Sequence, residues 1–301
     1  MHGGSTWAEE APLDFSDNSN PLGPPAGFWE ALREAVEKAV YRRFPAHLAE
    51  EALSQYEGLP VTLFNGATEA LIYALLELRP RRALTVWPTY GDYQRAVELL
   101  GVPLRQVPPW GLKLAGSGDV VILCNPNNPT GAYLPRDWVV DTARRLEARG
   151  ARLLVDESFI DFVRGESAAP DVAVVKSYGK FLAAPGLRLG ALLFKPSRPP
   201  PWRINSVADY ALWRLGPEAL RRHREKTLGY IAEERPRVVG KLRRCAPVAP
   251  SWVHFHIVFS DPPPGVKVRP LWDKGVRGFR FSLKSPAEND ELVHAVCRHV
   301  R

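Results

Sequence analysis

Five short apolar runs set the strictest limit on how this chain can fold. VTLF (61–64), ALTVW (83–87), DVVILC (119–124), RLLVD (152–156) and VAVVKS (172–177) have the length of strands, and their apolar residues are consecutive rather than alternating. A strand with one wet face alternates, so runs of this kind need cover on both faces. Helical patterns stand between them: NGATEALIYALLEL, PTYGDYQRAVELLG and residues 137–149. Strand and helix in turn predict an α/β fold, a mostly parallel sheet with helices on both faces. VPLRQV adds a short strand, and LGALLF (189–194) is expected to return antiparallel to VAVVKS through a lysine-bearing turn.

The ends of the chain read differently. DFSDNSNPLGPPAG is dense in turn formers and is expected to be an arm over residues 1–27. A helix follows, with Phe28, Leu32, Ala35, Val36 and Ala39 at helical spacing up to Pro45. KPSRPPPW (195–202) reads as a hinge. Beyond it come a helix over 208–244, strands in WVHFHIVF, at 266–269 and in GFRFSL, and a closing helix from Glu288. The predicted domains are therefore a large one over 28–198 and a small C-terminal α+β one over 199–301, a division that 301 residues also suggests.

Composition excludes several classes. With 45% apolar and 24% charged residues the chain is globular rather than disordered. No stretch approaches the roughly 18 apolar residues of a membrane span, and the first residues lack the pattern of a secretory signal; a cytoplasmic protein is expected. Cys124, Cys245 and Cys297 have neither metal-site spacing nor the look of a disulfide framework, so free thiols and no metal are expected. The net charge of +7 is spread through helical stretches without a nucleic-acid motif. It suits an anionic small molecule. A basic non-catalytic relative that binds nucleic acid or a regulatory partner is the competing class.

Ligands of an open α/β sheet bind outside the carboxyl ends of its strands. Those ends carry Asn65-Gly66-Ala67-Thr68, Trp87-Pro88-Thr89-Tyr90, the CNPNNPTG loop with Asn125, Asn127 and Asn128, then Asp156-Glu157-Ser158-Phe159, and SYGKFLAAPGLRLG, with Ser177, Lys180 and Arg188. A lysine among small residues at a strand end can lose its proton on desolvation and act as a nucleophile.

CNPNNPTG, VDESF and SYGKFLAAPGLRLG, in this order, resemble the fold-type I enzymes of pyridoxal 5′-phosphate (PLP). The arm and DESFIDF are similar to those of L-threonine O-3-phosphate decarboxylases of cobalamin synthesis and, at greater distance, of histidinol-phosphate aminotransferases. The resemblance implies a PLP-dependent transferase-like fold, with Lys180 binding the cofactor aldehyde and Asp156 facing the pyridine nitrogen. It implies Asn128 at the 3′ oxygen, Tyr90 stacked on the ring, and Ala67, Thr68, Ser177 and Arg188 at the phosphate. Arg280 would hold a substrate carboxylate and Arg269 a second anionic group, as suits an amino-acid phosphate. Decarboxylation is the expected reaction and transamination the alternative, in a homodimer. Two departures stand out: Phe44 replaces a tyrosine that reaches the neighbouring subunit's cofactor phosphate, leaving Tyr41 as a substitute, and Phe159 replaces the tyrosine usual in transaminases. Glu157, Asp161 and Lys284 receive no catalytic role.

Overall fold

The computed structural model describes residues 3–9 and 13–300, so residues 1, 2 and 10–12 of the predicted arm lie outside the described residues. The larger sheet joins β1 (Thr62–Asn65), β2 (Arg82–Val86), β3 (Leu104–Val107), β4 (Asp119–Cys124), β5 (Arg152–Asp156), β6 (Ala173–Ser177) and β7 (Leu189–Leu192). Their order is β1-β7-β6-β5-β4-β2-β3. β7 runs antiparallel to both of its neighbours and the other pairings are parallel. The mixed, mostly parallel sheet is the one the apolar runs predict.

Both faces of that sheet are covered, which explains why the runs do not alternate. On β4, Val121 and Leu123 face one apolar cluster and Val120 and Ile122 the other. Helices α3 (Ala67–Leu78) and α4 (Asp92–Leu99) supply the second cluster; α1 (Phe28–Glu37), α2 (Leu48–Glu57), α5 (Arg136–Glu147) and α7 (Ser206–Leu242) supply the first. Each fully buried aliphatic side chain contributes roughly 1.5–3 kcal/mol. The face of α1 is turned from the predicted one: Phe28, Ala31 and Ala35 are buried, whereas Val36 is exposed. Helix α2 was not anticipated from the sequence.

The smaller sheet is antiparallel, in the order β8-β10-β9, from β8 (Phe255–Val258), β9 (Arg269–Pro270) and β10 (Phe279–Ser282). Helix α8 (Pro286–His299) starts with a capping box between Ser285 and Glu288. It packs against the far end of α7, whose near end packs on α1 and α2; α7 is kinked at Gly216 and Pro217. The arm is built into this junction, with Phe15 fully buried and its backbone bonded to Lys267 and Ser282.

One expectation is overturned. Cys245 and Cys297 form a disulfide across 52 residues, with Cα atoms 5.1 Å apart. No spacing signature marks such a pair; α7 and α8 bring the two together through tertiary packing. Cys124 is free and buried, as expected. Among the described residues no helix is long and apolar enough to cross a membrane.

Candidate active site

A cavity of about 370 Å³ opens at the carboxyl ends of β4, β5 and β6, beside the start of α3. Ala67, Thr68, Tyr90, Asn128 and Asp156 line it, as do Ser177, Lys180, Arg188 and Arg280. The structure therefore brings nine of the ten predicted site residues to one cavity. Arg269 lies outside it, on an adjoining cavity of about 140 Å³ that shares Tyr90, Asn128 and Arg280 with the first.

Lys180 sits on the single turn of α6 (Tyr178–Phe181), directly after β6. Its carbonyl oxygen accepts from the Asn20 N–H at 2.9 Å, so the arm pins the turn that carries it. Burial lowers its ammonium pKa below the usual lysine range; Asp17 opposes this, and Arg280, Arg188 and Lys284 reinforce it. A lysine so placed gives up its proton more readily.

Asp156 ends β5 and is buried. Its Oδ1 accepts from the hydroxyl and backbone N–H of Ser158, at 2.5 and 3.0 Å, and its Oδ2 accepts from the Tyr93 hydroxyl at 2.7 Å. Burial still raises its pKa above the usual carboxylate range, against the pull of those bonds. An opposing cationic ring nitrogen in the cavity would reverse that balance.

The start of α3 and Arg188 form a cradle for an anion. Gly66 precedes the helix with φ 89°, and no side chain caps the first N–H groups. A Cβ on Gly66 would lie 2.4 Å from the Arg188 guanidinium, and one on Gly190 would lie 2.2 Å from the Ala67 nitrogen. Glycine at both positions lets strand, helix end and guanidinium close up. The Arg188 guanidinium makes no hydrogen bond or ion pair among the described residues; only its backbone N–H is used, donating to the Pro185 carbonyl. Open N–H groups with a cation at a helix start suit a phosphate.

Arg280, on β10, is buried and donates to Asn128 Oδ1 at 2.6 Å and to the Ser16 carbonyl. Burial, then Arg269, pushes its pKa down to about 9, and its Nε has no partner among the described residues. An anion would relieve that. Arg269 is already paired, with Asp273 at 2.7 Å. Tyr90 donates to Asp92 at 2.8 Å and meets the Tyr93 ring edge-on.

Sequence reasoning gave no role to Asp17, Asn18, Tyr93 or Ser158, all on the main cavity; of these only Ser158 was placed at the ligand-binding rim. Asp17 and Asn18 stand inside the arm motif, and Tyr93 lies one helical turn beyond Tyr90; those were the available signals. Phe159 is buried at the cavity edge, packed edge-on against Phe255.

The comparisons with known proteins agree with this architecture. The family described as aminotransferase class I and II matches residues 11–212, and the chain belongs to that family. It is an enzyme of the PLP-dependent aminotransferase family, and its cofactor is PLP. The threonine-phosphate decarboxylase of Salmonella typhimurium is 33% identical over 232 residues, 66% of this chain and 63% of that protein; the chain thus spans under two thirds of that relative's length. A histidinol-phosphate aminotransferase of Desulfitobacterium hafniense is 27% identical over 336 residues, covering 93% of this chain and 89% of the other. The crystal structure of L-threonine-O-3-phosphate decarboxylase from Porphyromonas gingivalis has the same fold, with a TM-score of 0.80 at 20% identity over 95% of this chain and 98% of that one.

The donor set fits the cofactor. A cavity of about 370 Å³ lies within the usual range for small-ligand sites. It offers an anion cradle at one side, a buried carboxylate and a lysine of lowered pKa.

Proposed function

We propose that this chain decarboxylates L-threonine O-3-phosphate to aminopropanol phosphate in cobalamin biosynthesis. The observation that carries the reading is the pair of adjoining cavities: Arg280 lines both, and Arg269 lines the second. A substrate with a carboxylate and a phosphate needs two anion sites beside the cofactor. PLP, when bound, supplies an electron sink for the bond that breaks.

The chain's own residues do the rest. Arg188, Ser177 and the N–H groups of Ala67 and Thr68 would hold the cofactor phosphate. Asp156 would keep the proton on the pyridine nitrogen, and Tyr90 would stack on the ring. Asn128 gives its amide oxygen to Arg280, which leaves its NH₂ as the donor toward the 3′ oxygen. Lys180 would bind the cofactor aldehyde at rest and move a proton once released. Arg280 would grip the substrate carboxylate and so set which bond stands perpendicular to the ring, the choice on which decarboxylation or proton loss depends.

Transamination is the second reading. It is favoured by the histidinol-phosphate aminotransferase relatives, which align over more of the chain. Phe159, which has no hydroxyl for the cofactor, favours the first. The reading includes a homodimer, for which the exposed Tyr41 and the stacked Phe44 and Trp202 offer an aromatic surface. It includes a cytoplasmic location in a heat-adapted source, which 29 prolines and a single Met suit and in which intracellular disulfides such as Cys245–Cys297 persist.

The test incubates PLP-loaded protein with L-threonine O-3-phosphate, without and with 2-oxoglutarate. Carbon dioxide release without a keto acid is the expected result. Glutamate formation from histidinol phosphate, with no carbon dioxide from the threonine phosphate, would reject it in favour of the aminotransferase.

A further inference from the structure

Behind the lysine-bearing turn lies a set of buried charges that the cavity does not use. Lys176 is on β6, one residue before Ser177, and the alternation of a strand sends the two side chains to opposite faces. Its side chain is 1% exposed, and its ammonium lies 2.6 Å from Glu57 Oε1 and 3.0 Å from Asp161 Oδ2. The Tyr178 hydroxyl donates to the same Glu57 oxygen at 2.7 Å, and the Tyr56 hydroxyl donates to Asp161 Oδ1 at 2.8 Å. Arg224 Nε stands 3.8 Å from Asp161.

At contact distance two carboxylates face two cations, and the buried carboxyl of Glu157, whose pKa burial raises to about 7, lies close enough to interact with Lys176 and Glu57. Burial alone would lower the pKa of the Lys176 ammonium, but Asp161 and Glu57 outweigh it and raise the value. Replacing a buried ionic set by apolar side chains of similar size is often neutral or stabilising. Stability is therefore a weak reason for these groups to be here. What they share is their attachment. Tyr178 opens α6, the single turn that carries Lys180, and Asp161 lies in the segment that leaves β5 just after Asp156. Glu57 ends α2, and Arg224 projects from α7. A one-turn helix cannot hold its own geometry.

We propose that Glu57, Lys176 and Asp161 are positioning residues for Lys180, clamping through Tyr178 and the turn after β5 the two segments that carry Lys180 and Asp156. The clamp fixes the lysine amine and the carboxylate relative to each other from the far side of the turn, where Glu57, Asp161, Lys176 and Arg224 line a separate open cavity rather than the one that holds Lys180. It touches neither substrate nor cofactor. The inference rests on Lys180 being the lysine that binds PLP.

The test compares three forms with the wild type. Lys180→Ala checks the underlying reading: the visible absorption band of the PLP-loaded wild type must vanish in it, and a wild type without such a band would sink that reading and this proposal together. Glu57→Gln/Lys176→Met removes one charge of each sign and leaves Asp161 opposite Arg224. Tyr178→Phe removes a hydroxyl alone. In the double variant the thermal midpoint should stay within about 4 °C of the wild type. The pH midpoint of the absorption band should move, and the cofactor-free protein should take up PLP more slowly. The kcat should fall roughly tenfold to a hundredfold, as expected for a misplaced reacting group, with KM changed by no more than about twofold. Tyr178→Phe should move the same readouts in the same direction by less. If the wild type shows the band but the folded double variant keeps its pH midpoint, uptake rate and kcat, the clamp is only structural and the proposal fails. Should the double variant not fold, Tyr178→Phe decides: wild-type midpoint and uptake rate would overturn the proposal, and displaced ones support it.

Discussion

Tyr93→Phe tests how the buried carboxylate of the site is held. The Tyr93 hydroxyl donates to Asp156 Oδ2 at 2.7 Å, and the two residues are 1% and 6% exposed. Ser158 serves Oδ1, so the change leaves Oδ2 without its hydroxyl donor. Burial raises the pKa of Asp156 above its ordinary 3.8 in the cofactor-free protein. Between that value and the raised native one, the native state holds a proton that the unfolded state has lost, so stability falls as pH rises through the window. Loss of the donor raises the native value further and widens the window. Above it, the ionised carboxylate has lost a hydrogen bond worth about 1.5–3 kcal/mol. Below it, the carboxyl is neutral and the loss shrinks to about 1 kcal/mol. Urea unfolding of both PLP-free proteins, from the ordinary carboxylate range to mildly alkaline pH, measures the difference directly. A penalty that is constant across pH, or larger in acid, would refute the reasoning.

Three further outcomes are expected. Lys180→Ala should bind PLP without the visible band of the wild type and release no carbon dioxide from L-threonine O-3-phosphate, read by absorbance and gas release. Gly190→Ala places a Cβ 2.2 Å from backbone atoms of Gly66 and Ala67; because backbone cannot swing aside, the cost should reach the upper end of overpacking, about 3 kcal/mol, and PLP affinity should fall with it. Cys297→Ser opens a bridge spanning 52 residues. The chain-entropy relation puts the loss near 4 kcal/mol, and alkylation of the unfolded wild type should label one of its three cysteines without reductant and all three with it.

Much of the fold was legible because its strands are buried on both faces. Val120 to Leu123 needed no alternation to be read as a central strand, and the residues after each such run became the cavity wall. Helix α2 was not legible for the opposite reason. Only Ala49, Ala52 and Leu53 of its ten residues are buried, its N-cap His47 is left-handed and uses no side-chain cap, and its polar face hides the period. The Cys245–Cys297 pair was missed because 52 residues of separation carry no local signal. Asp17 and Asn18 were inside a recognised arm motif, yet their place on the cavity depends on the arm packing between the two sheets.

Lys176 and Lys180 show where sequence ends and tertiary structure begins. The sequence alone determined the kind of chemistry: a lysine in a small-residue turn, an aspartate at a strand end and a glycine before a helix are local features, set by backbone geometry over a few residues. It also determined that these features would meet, since successive parallel strands deliver their carboxyl ends to one rim. Which charges would neutralise one another was decided only by the folded chain. Glu57 and Asp161 close on Lys176 from other segments and Asp273 takes Arg269, whereas Arg280 meets only the neutral amide oxygen of Asn128 and the Ser16 carbonyl. An ionic partner is chosen by distance in space and by the water that burial removes, and neither is written in the spacing of residues along the chain.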